Sequence, residues 1–194
     1  KKFSLNKKFL NLGYIGSYLK YKGVQDLITA TYNLSKRGYN IKLFLAGDIL
    51  RKKNPIMNFF LRFFNLDNNI NTKFNNKIVT DLGVVNNLEL FYKKIHILCF
   101  PSYLNALGRQ VFEAAMFGLP SIVCLSKNSS DSFINNQTGI ALKTPGSIEN
   151  LEKVIISFYE NRKFLKQMGK KASVLVKKKF DKKKNLKLLE NIYE

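Results

Sequence analysis

Histidine occurs once in these 194 residues, cysteine twice, proline four times and tryptophan not at all, and 13 acidic side chains face 33 lysines and arginines. Each shortage removes a class of molecule. Two cysteines, Cys99 and Cys124, each inside an apolar run, cannot frame a disulfide scaffold and read as small buried hydrophobes in a reducing compartment. No His, Cys and Asp cluster has metal-ligand spacing. No apolar run approaches the roughly 20 residues needed to cross a bilayer. The start at Lys1 carries neither a signal peptide nor an initiator methionine. The expectation is a cytoplasmic chain, cut from something longer. No repeat and no flexible linker divides it, so one domain is expected over residues 1–194.

What is abundant is apolar and basic. A hydrophobic content of 45% suffices for a proper core, and a formal charge of +20 attracts phosphates, anionic headgroups or nucleic acid through its long-range field. Asn, Ile and Phe are abundant beside Lys, as A/T-biased coding also produces; on that reading the lysines have no binding role. The runs Lys177-Lys178-Lys179 and Lys182-Lys183-Lys184 fall on terminal helices and read either as a solvated face or as a patch for an anionic membrane surface.

Short apolar runs alternate with amphipathic stretches: 9–15, 24–34, 41–46, 88–92 and 95–100. This predicts strand-helix-strand units and a parallel sheet. Val24, Leu27, Ile28, Thr31 and Leu34 recur at the three-and-four spacing of a helix that covers a sheet, with Gly38 as its stop. A second unit has a strand over 95–100, a loop opened by Pro101, a helix from about Gly108 to Phe117, terminators Gly118 and Pro120, and a strand over 121–125. Between Asp48 and Lys77 a basic, Asn-rich insertion is expected, with a helix near 56–64. After a strand over 139–142, Ser147 is placed to cap a helix, and further helices start from Lys163 and Lys182.

Two loops follow parallel strands and precede helices, Gly16 to Gly23 and Pro101 to Gly108, where open α/β sheets bind ligands. Lys22 and Gly23 end the first at a helix start, where an ammonium group and free backbone N–H groups converge on a phosphate. Gly108 opens the second helix, admitting a ligand close to the backbone at the positive end of the dipole, and Arg109 adds a cation. Glu113 lies one turn on, in an otherwise apolar helix, so its carboxylate must reach an opening or a buried partner. A dehydrogenase would want Gly-x-Gly-x-x-Gly after the first strand, and Gly13-Tyr14-Ile15-Gly16 does not supply it. His96 starts a strand and reads as a capping or packing residue.

The order Pro101-Ser102, Gly108, Glu113-Ala114-Ala115-Met116, Gly118, Pro120 resembles the signature of family-four glycosyltransferases with the GT-B fold. The likeness runs through Gly16, Lys22-Gly23, Ala46-Gly47-Asp48, Leu82-Gly83, the stretch Asn135 to Gly139 and Asn191-Ile192-Tyr193. It implies a Rossmann-like α/β domain, the C-terminal half of a GT-B enzyme, that binds a nucleoside diphosphate sugar. The acceptor would be held by an N-terminal domain absent from this chain, and transfer would retain the anomeric configuration without a metal or other cofactor. Glu113 then resembles the ribose-binding glutamate and Lys22 the lysine that supports departure of the diphosphate. Gly16 and Ser17, with Leu107, Gly108 and Arg109, line the phosphates, and Val85 lies where the base is held.

Two positions depart from the pattern. Asn105 stands where the family has the first glutamate of its Glu, seven residues, Glu motif, and Ser17 stands where it usually has arginine. An amide still hydrogen-bonds a sugar hydroxyl, but the charge near the reacting carbon is gone. The expectation is the donor-binding half of a transferase building an envelope polysaccharide or glycolipid, with peripheral contact at the inner membrane face and no nucleic-acid partner. Two alternatives stand beside it: a GT-B-like domain that no longer catalyses, and a basic nucleic-acid or membrane-surface module carried by the charge and by Tyr18, Tyr21 and Tyr103.

Overall fold

Six strands lie in one parallel sheet, and their order fixes where a ligand can bind. The computed structural model describes residues 9–48, 75–126 and 129–181. The strands β1 (Leu10–Ile15), β2 (Ile41–Ala46), β3 (Val79–Asp81), β4 (Ile97–Phe100), β5 (Ser121–Cys124) and β8 (Gly139–Leu142) are arranged β3-β2-β1-β4-β5-β8. A two-stranded antiparallel ribbon, β6 (Ser129–Ser130) and β7 (Phe133–Ile134), precedes the last of them. The winding direction reverses between β1 and β4, which is the crevice where doubly wound sheets hold ligands.

The helix α1 (Val24–Lys36) follows β1, with Val24, Leu27, Ile28, Thr31 and Leu34 on its buried side. Each large aliphatic there contributes roughly 1.5–3 kcal/mol by leaving water. It ends as expected, at Gly38 with φ +89°, whose N–H reaches the Ser35 carbonyl. After β3 comes α2 (Leu88–Lys94), capped by the Asn87 side chain, which accepts from the Leu90 N–H. The helix α3 (Arg109–Met116) links β4 to β5. Right-handed crossovers running in opposite directions from the switch point put α1 and α3 on opposite faces of the sheet.

The last two helices close these faces. Ser147 caps α4 (Ile148–Glu160), accepting from the Asn150 N–H. This helix packs on α1, tied by Glu152 to Asn33 at 2.8 Å and to Arg37 at 3.1 Å. The 18-residue α5 (Arg162–Lys179) packs on α3, where Gly169 meets the Gly118 carbonyl so closely that a methyl group would come to 2.0 Å. Phe112 and Phe180 meet edge to face at 4.6 Å. So α5 runs antiparallel to α3.

The expected strand over 95–100 begins only at Ile97. Ile95 is the C-cap of α2, and the His96 backbone pairs with the Asn11 carbonyl instead of extending a ladder. Cys99 and Cys124 are buried and free, as read from their apolar runs. The expected helices near 56–64 and from Lys182 lie outside the described residues. Among the described residues no helix is long and apolar enough to cross a membrane.

Candidate functional site

The loops after β1, β2, β3, β4 and β5 gather along the carboxyl edge of the sheet. The N–H of Gly47 donates to the Gly83 carbonyl at 2.8 Å, and a methyl group on Gly47 would come to 1.9 Å from the Gly16 carbonyl oxygen. Tyr18, buried beneath them, donates its hydroxyl to Asp81 Oδ1 at 2.7 Å, and the Gly83 N–H donates to the same oxygen at 2.9 Å. Burial, and then that bond, push the Tyr18 phenol well above its ordinary value.

The first loop folds into a 3-10 turn, Lys20–Lys22, which ends at Gly23 with φ +71°. This glycine rests on the second loop, where a Cβ would come to 2.1 Å from the Pro101 carbonyl oxygen. The Tyr103 N–H donates to the Tyr21 carbonyl at 2.7 Å, and the Tyr103 hydroxyl donates to Asp26 Oδ2 at 2.5 Å. Burial and that bond raise the Tyr103 pKa to about 12. Backbone and side-chain bonds therefore lock the two loops into one body. Lys22 Nζ stands 5.3 Å from the Tyr21 ring centre and 5.5 Å from that of Phe100, the last residue of β4, so its charge is held over the switch point.

Gly108 is the N-cap of α3 and offers no side-chain bond to the helix, and the first turn holds no acidic residue. The leading N–H groups are thus available to an anion. A Cβ at Gly108 would come to 2.9 Å from the Phe100 ring. The Gln110 side chain lies over Gly108, where a Cβ would come to 2.1 Å from its Oε1, and that buried oxygen has no partner among the described residues.

Glu113 has both needs met. Its Oε2 accepts from the buried Tyr92 hydroxyl at 2.8 Å, and its Oε1 pairs with Arg109 Nε at 2.9 Å, the carboxylate being 19% exposed and the guanidinium 82%. Burial, then this bond, hold the Tyr92 phenol far above its usual range, so it remains a donor. Tyr92 itself is clamped by a stacked Phe117 at 5.0 Å and an edge-on Phe91 at 5.4 Å.

Asn105 adopts φ +50°, which asparagine tolerates better than most residues. Its amide is engaged twice with Ser126 beyond β5: Nδ2 donates to the hydroxyl at 2.7 Å and Oδ1 accepts from the backbone N–H at 2.5 Å. Ser17 contributes its carbonyl, which accepts from the Tyr14 hydroxyl at 2.7 Å. Leu107 is half-buried against the core. Val85 lies on the same edge but faces a separate groove of about 290 Å³, shared with Leu82, Leu90, Phe91 and Lys94. His96 is at the opposite edge and takes no part, accepting at Nδ1 from the Asn11 N–H at 2.9 Å.

The sequence reading thus brought Gly16, Lys22, Gly108, Arg109 and Glu113 to one edge, with Val85 less tightly joined. It did not single out Tyr92 or Gln110, and it named Tyr103 only among the aromatics of the basic-module alternative. Tyr92 sits 21 residues before Glu113 on another helix, and no local pattern announces that pairing.

The model of the family described as glycosyl transferases group 1 matches residues 1–175. A capsular polysaccharide biosynthesis glycosyltransferase of Staphylococcus aureus, CapM, is 24% identical over 189 residues, which are 97% of this chain and 47% of the relative. The structure of Anabaena HepE in complex with UDP and glucose superposes with a TM-score of 0.71 at 18% identity, over 96% of this chain and 49% of that one. The C-terminal domain of a group 1 glycosyl transferase, LpcC, from Francisella tularensis gives a TM-score of 0.67 at 16% identity, over 88% of this chain and 86% of that domain. The chain spans about half the length of CapM and HepE.

Proposed function

Because the chain belongs to the glycosyl transferases group 1 family, we propose that it is the donor-binding half of a retaining glycosyltransferase that moves a sugar from a nucleoside diphosphate sugar to a glycan or lipid-linked acceptor. The observation that carries this reading is the pairing, on one sheet edge, of an uncapped helix N-terminus with Lys22 on one side and a held carboxylate, Glu113, on the other. The first pair suits a diphosphate and the second a ribose diol. HepE, a structural neighbour, holds UDP and glucose.

In the reaction the bond between the sugar's anomeric carbon and the diphosphate oxygen breaks. A bond to the acceptor hydroxyl oxygen forms on the same face, the hydroxyl proton passes to the departing diphosphate, and the nucleoside diphosphate leaves. The charge that builds on the leaving oxygen is met by Lys22 and the α3 amides, the electrostatic stabilisation such a step needs. Gly16 leaves room for the phosphates, with the Ser17 backbone beside it. Arg109, exposed and next to the helix start, is assigned as the cation that Ser17 does not supply, reaching the phosphates by leaving its pairing with Glu113. No metal or other cofactor is assigned to the site. Tyr92 is a positioning residue that aims the Glu113 carboxylate. Val85 is assigned to the base, which would extend from the phosphate loops past Gly83 to the groove that Val85 lines.

The acceptor is assigned to a second domain outside this chain, in keeping with the half-length match to CapM and HepE. The chain alone then binds nucleotide and transfers nothing. The test is a transfer assay on the chain by itself and on the same chain joined to an acceptor domain. Product from the joined protein only is expected, and product from the chain alone at an enzymatic rate overturns the division. One observation favours a second reading, in which the domain binds but no longer catalyses: Asn105 spends its amide on Ser126. Turnover by the joined protein excludes it.

A further inference from the structure

Among the described residues positive charge is concentrated on one helix. The helix α5 carries eight basic residues and no acidic one, whereas the remaining described residues hold eleven basic and ten acidic side chains. The neighbouring α4, by contrast, has three glutamates and one lysine.

The lysines also share a face. At 3.6 residues per turn, Lys163, Lys166, Lys170, Lys171, Lys177 and Lys178 fall within an arc of about 140°. That arc lies opposite the buried Leu165, Met168, Ala172 and Val176. All six are exposed, and none forms an ion pair among the described residues. Val174 sits in the middle of the arc and is 66% exposed. The face is convex and runs about 22 Å along the helix, from Lys163 to Lys178. Because α5 is antiparallel to α3, its carboxyl end, with Lys177 and Lys178, lies toward the sheet edge that holds Gly108 and Lys22.

We propose that this face of α5 docks the protein onto an anionic lipid bilayer. Charge complementarity selects an acidic surface, and three features favour lipid. The cations on the arc are all lysine, whose flexible stems reach headgroups while their methylenes lie along apolar surface, and arginine's bidentate phosphate fork is missing. An exposed valine gains by meeting the acyl boundary and gains nothing on a nucleic-acid backbone. The arc presents no aromatic side chain on which bases could stack. The carboxyl edge of the sheet would then be held close to the bilayer. The proposal does not depend on the donor-binding reading.

The test is co-sedimentation of the full chain with phosphatidylcholine vesicles, with and without phosphatidylglycerol, at low salt. Each lysine near an anionic surface is worth about fivefold in binding. The triple variant Lys163→Gln, Lys166→Gln, Lys170→Gln should therefore bind mixed vesicles at least about twentyfold more weakly. A second triple variant, Lys36→Gln, Lys77→Gln, Lys143→Gln, removes the same charge from other surfaces and should change binding by less than about threefold, since those charges are screened. Val174→Asp should weaken binding as well, and circular dichroism checks that each variant is folded. Equal binding to neutral and mixed vesicles, equal losses in the two triple variants, or tighter binding to duplex DNA than to mixed vesicles at the same salt overturns the proposal. Nucleotide titration should be unchanged in the α5 variants, so failure here and failure of donor binding are separable.

Discussion

The Tyr92 hydroxyl donates to Glu113 Oε2 at 2.8 Å across two helices that share no backbone bond, and the phenol is shut between Phe91 and Phe117. The carboxylate is therefore aimed before any ligand arrives. Tyr92→Phe keeps the ring packing and removes only this donor. A hydrogen bond to a charged group is worth about 1.5–3 kcal/mol, and part of that falls on folding stability. Denaturant unfolding should show a loss of about 1–2 kcal/mol, and nucleotide affinity should fall about five- to tenfold. Unchanged affinity would mean that Glu113 needs no aiming.

Gly23 is the contact between the two loops. In Gly23→Ala a methyl group would meet the Pro101 carbonyl oxygen at 2.1 Å with φ at +71°. The expected loss is about 2–4 kcal/mol, with nucleotide binding weakened because Lys22 moves with the loop. Thermal unfolding and titration on the same sample check both halves.

Asn105 is predicted to act on structure more than on nucleotide. Asn105→Ala loses both bonds to Ser126 and strains a positive φ, for about 1–2 kcal/mol of stability. Binding of a nucleoside diphosphate without a sugar should stay within about twofold if Asn105 faces the donor sugar, as the family resemblance implies. A large loss of nucleotide affinity contradicts that assignment.

His96 makes stability depend on acid. Burial, and then the charge of Arg162, push its pKa down to about 4. From pH 6.5 toward pH 4 the unfolded chain binds the proton and the folded one does not, so stability falls as pH drops through that window. The ring is partly exposed, and after allowing for solvent screening the effect is on the order of 1 kcal/mol. His96→Asn keeps an acceptor near the Asn11 N–H without a titrating group. Its melting temperature should fall less than that of the unaltered protein on acidification, and an identical slope would contradict this account.

Much of the scaffold was legible because it is written in local periodicity. The helix-spaced apolar residues of α1, the strand over Ile41–Ala46 and the second crossover unit all appear within a residue or two of where the pattern placed them. The ends of strands were less so: β4 starts late because Ile95 and His96 serve the preceding helix and a side-chain bond to Asn11. The first two-residue strand of the ribbon, Ser129–Ser130, has no apolar alternation to reveal it. At the site, glycines and charges at loop ends could be read, since their use follows from backbone geometry. Tyr92 to Glu113, Tyr103 to Asp26 and Asn105 to Ser126 could not, because each partner is fixed by how distant elements pack.

The central claim is that Lys22 and Glu113 hold one nucleoside diphosphate between them. Calorimetric titration of the chain with UDP, GDP and ADP, repeated with Lys22→Ala and Glu113→Ala, tests it most directly. The account predicts that one of the three nucleotides binds, with affinity reduced about tenfold or more in each variant and only modestly sensitive to salt. Absence of binding to all three, or salt-sensitive binding indifferent to both substitutions, would contradict it.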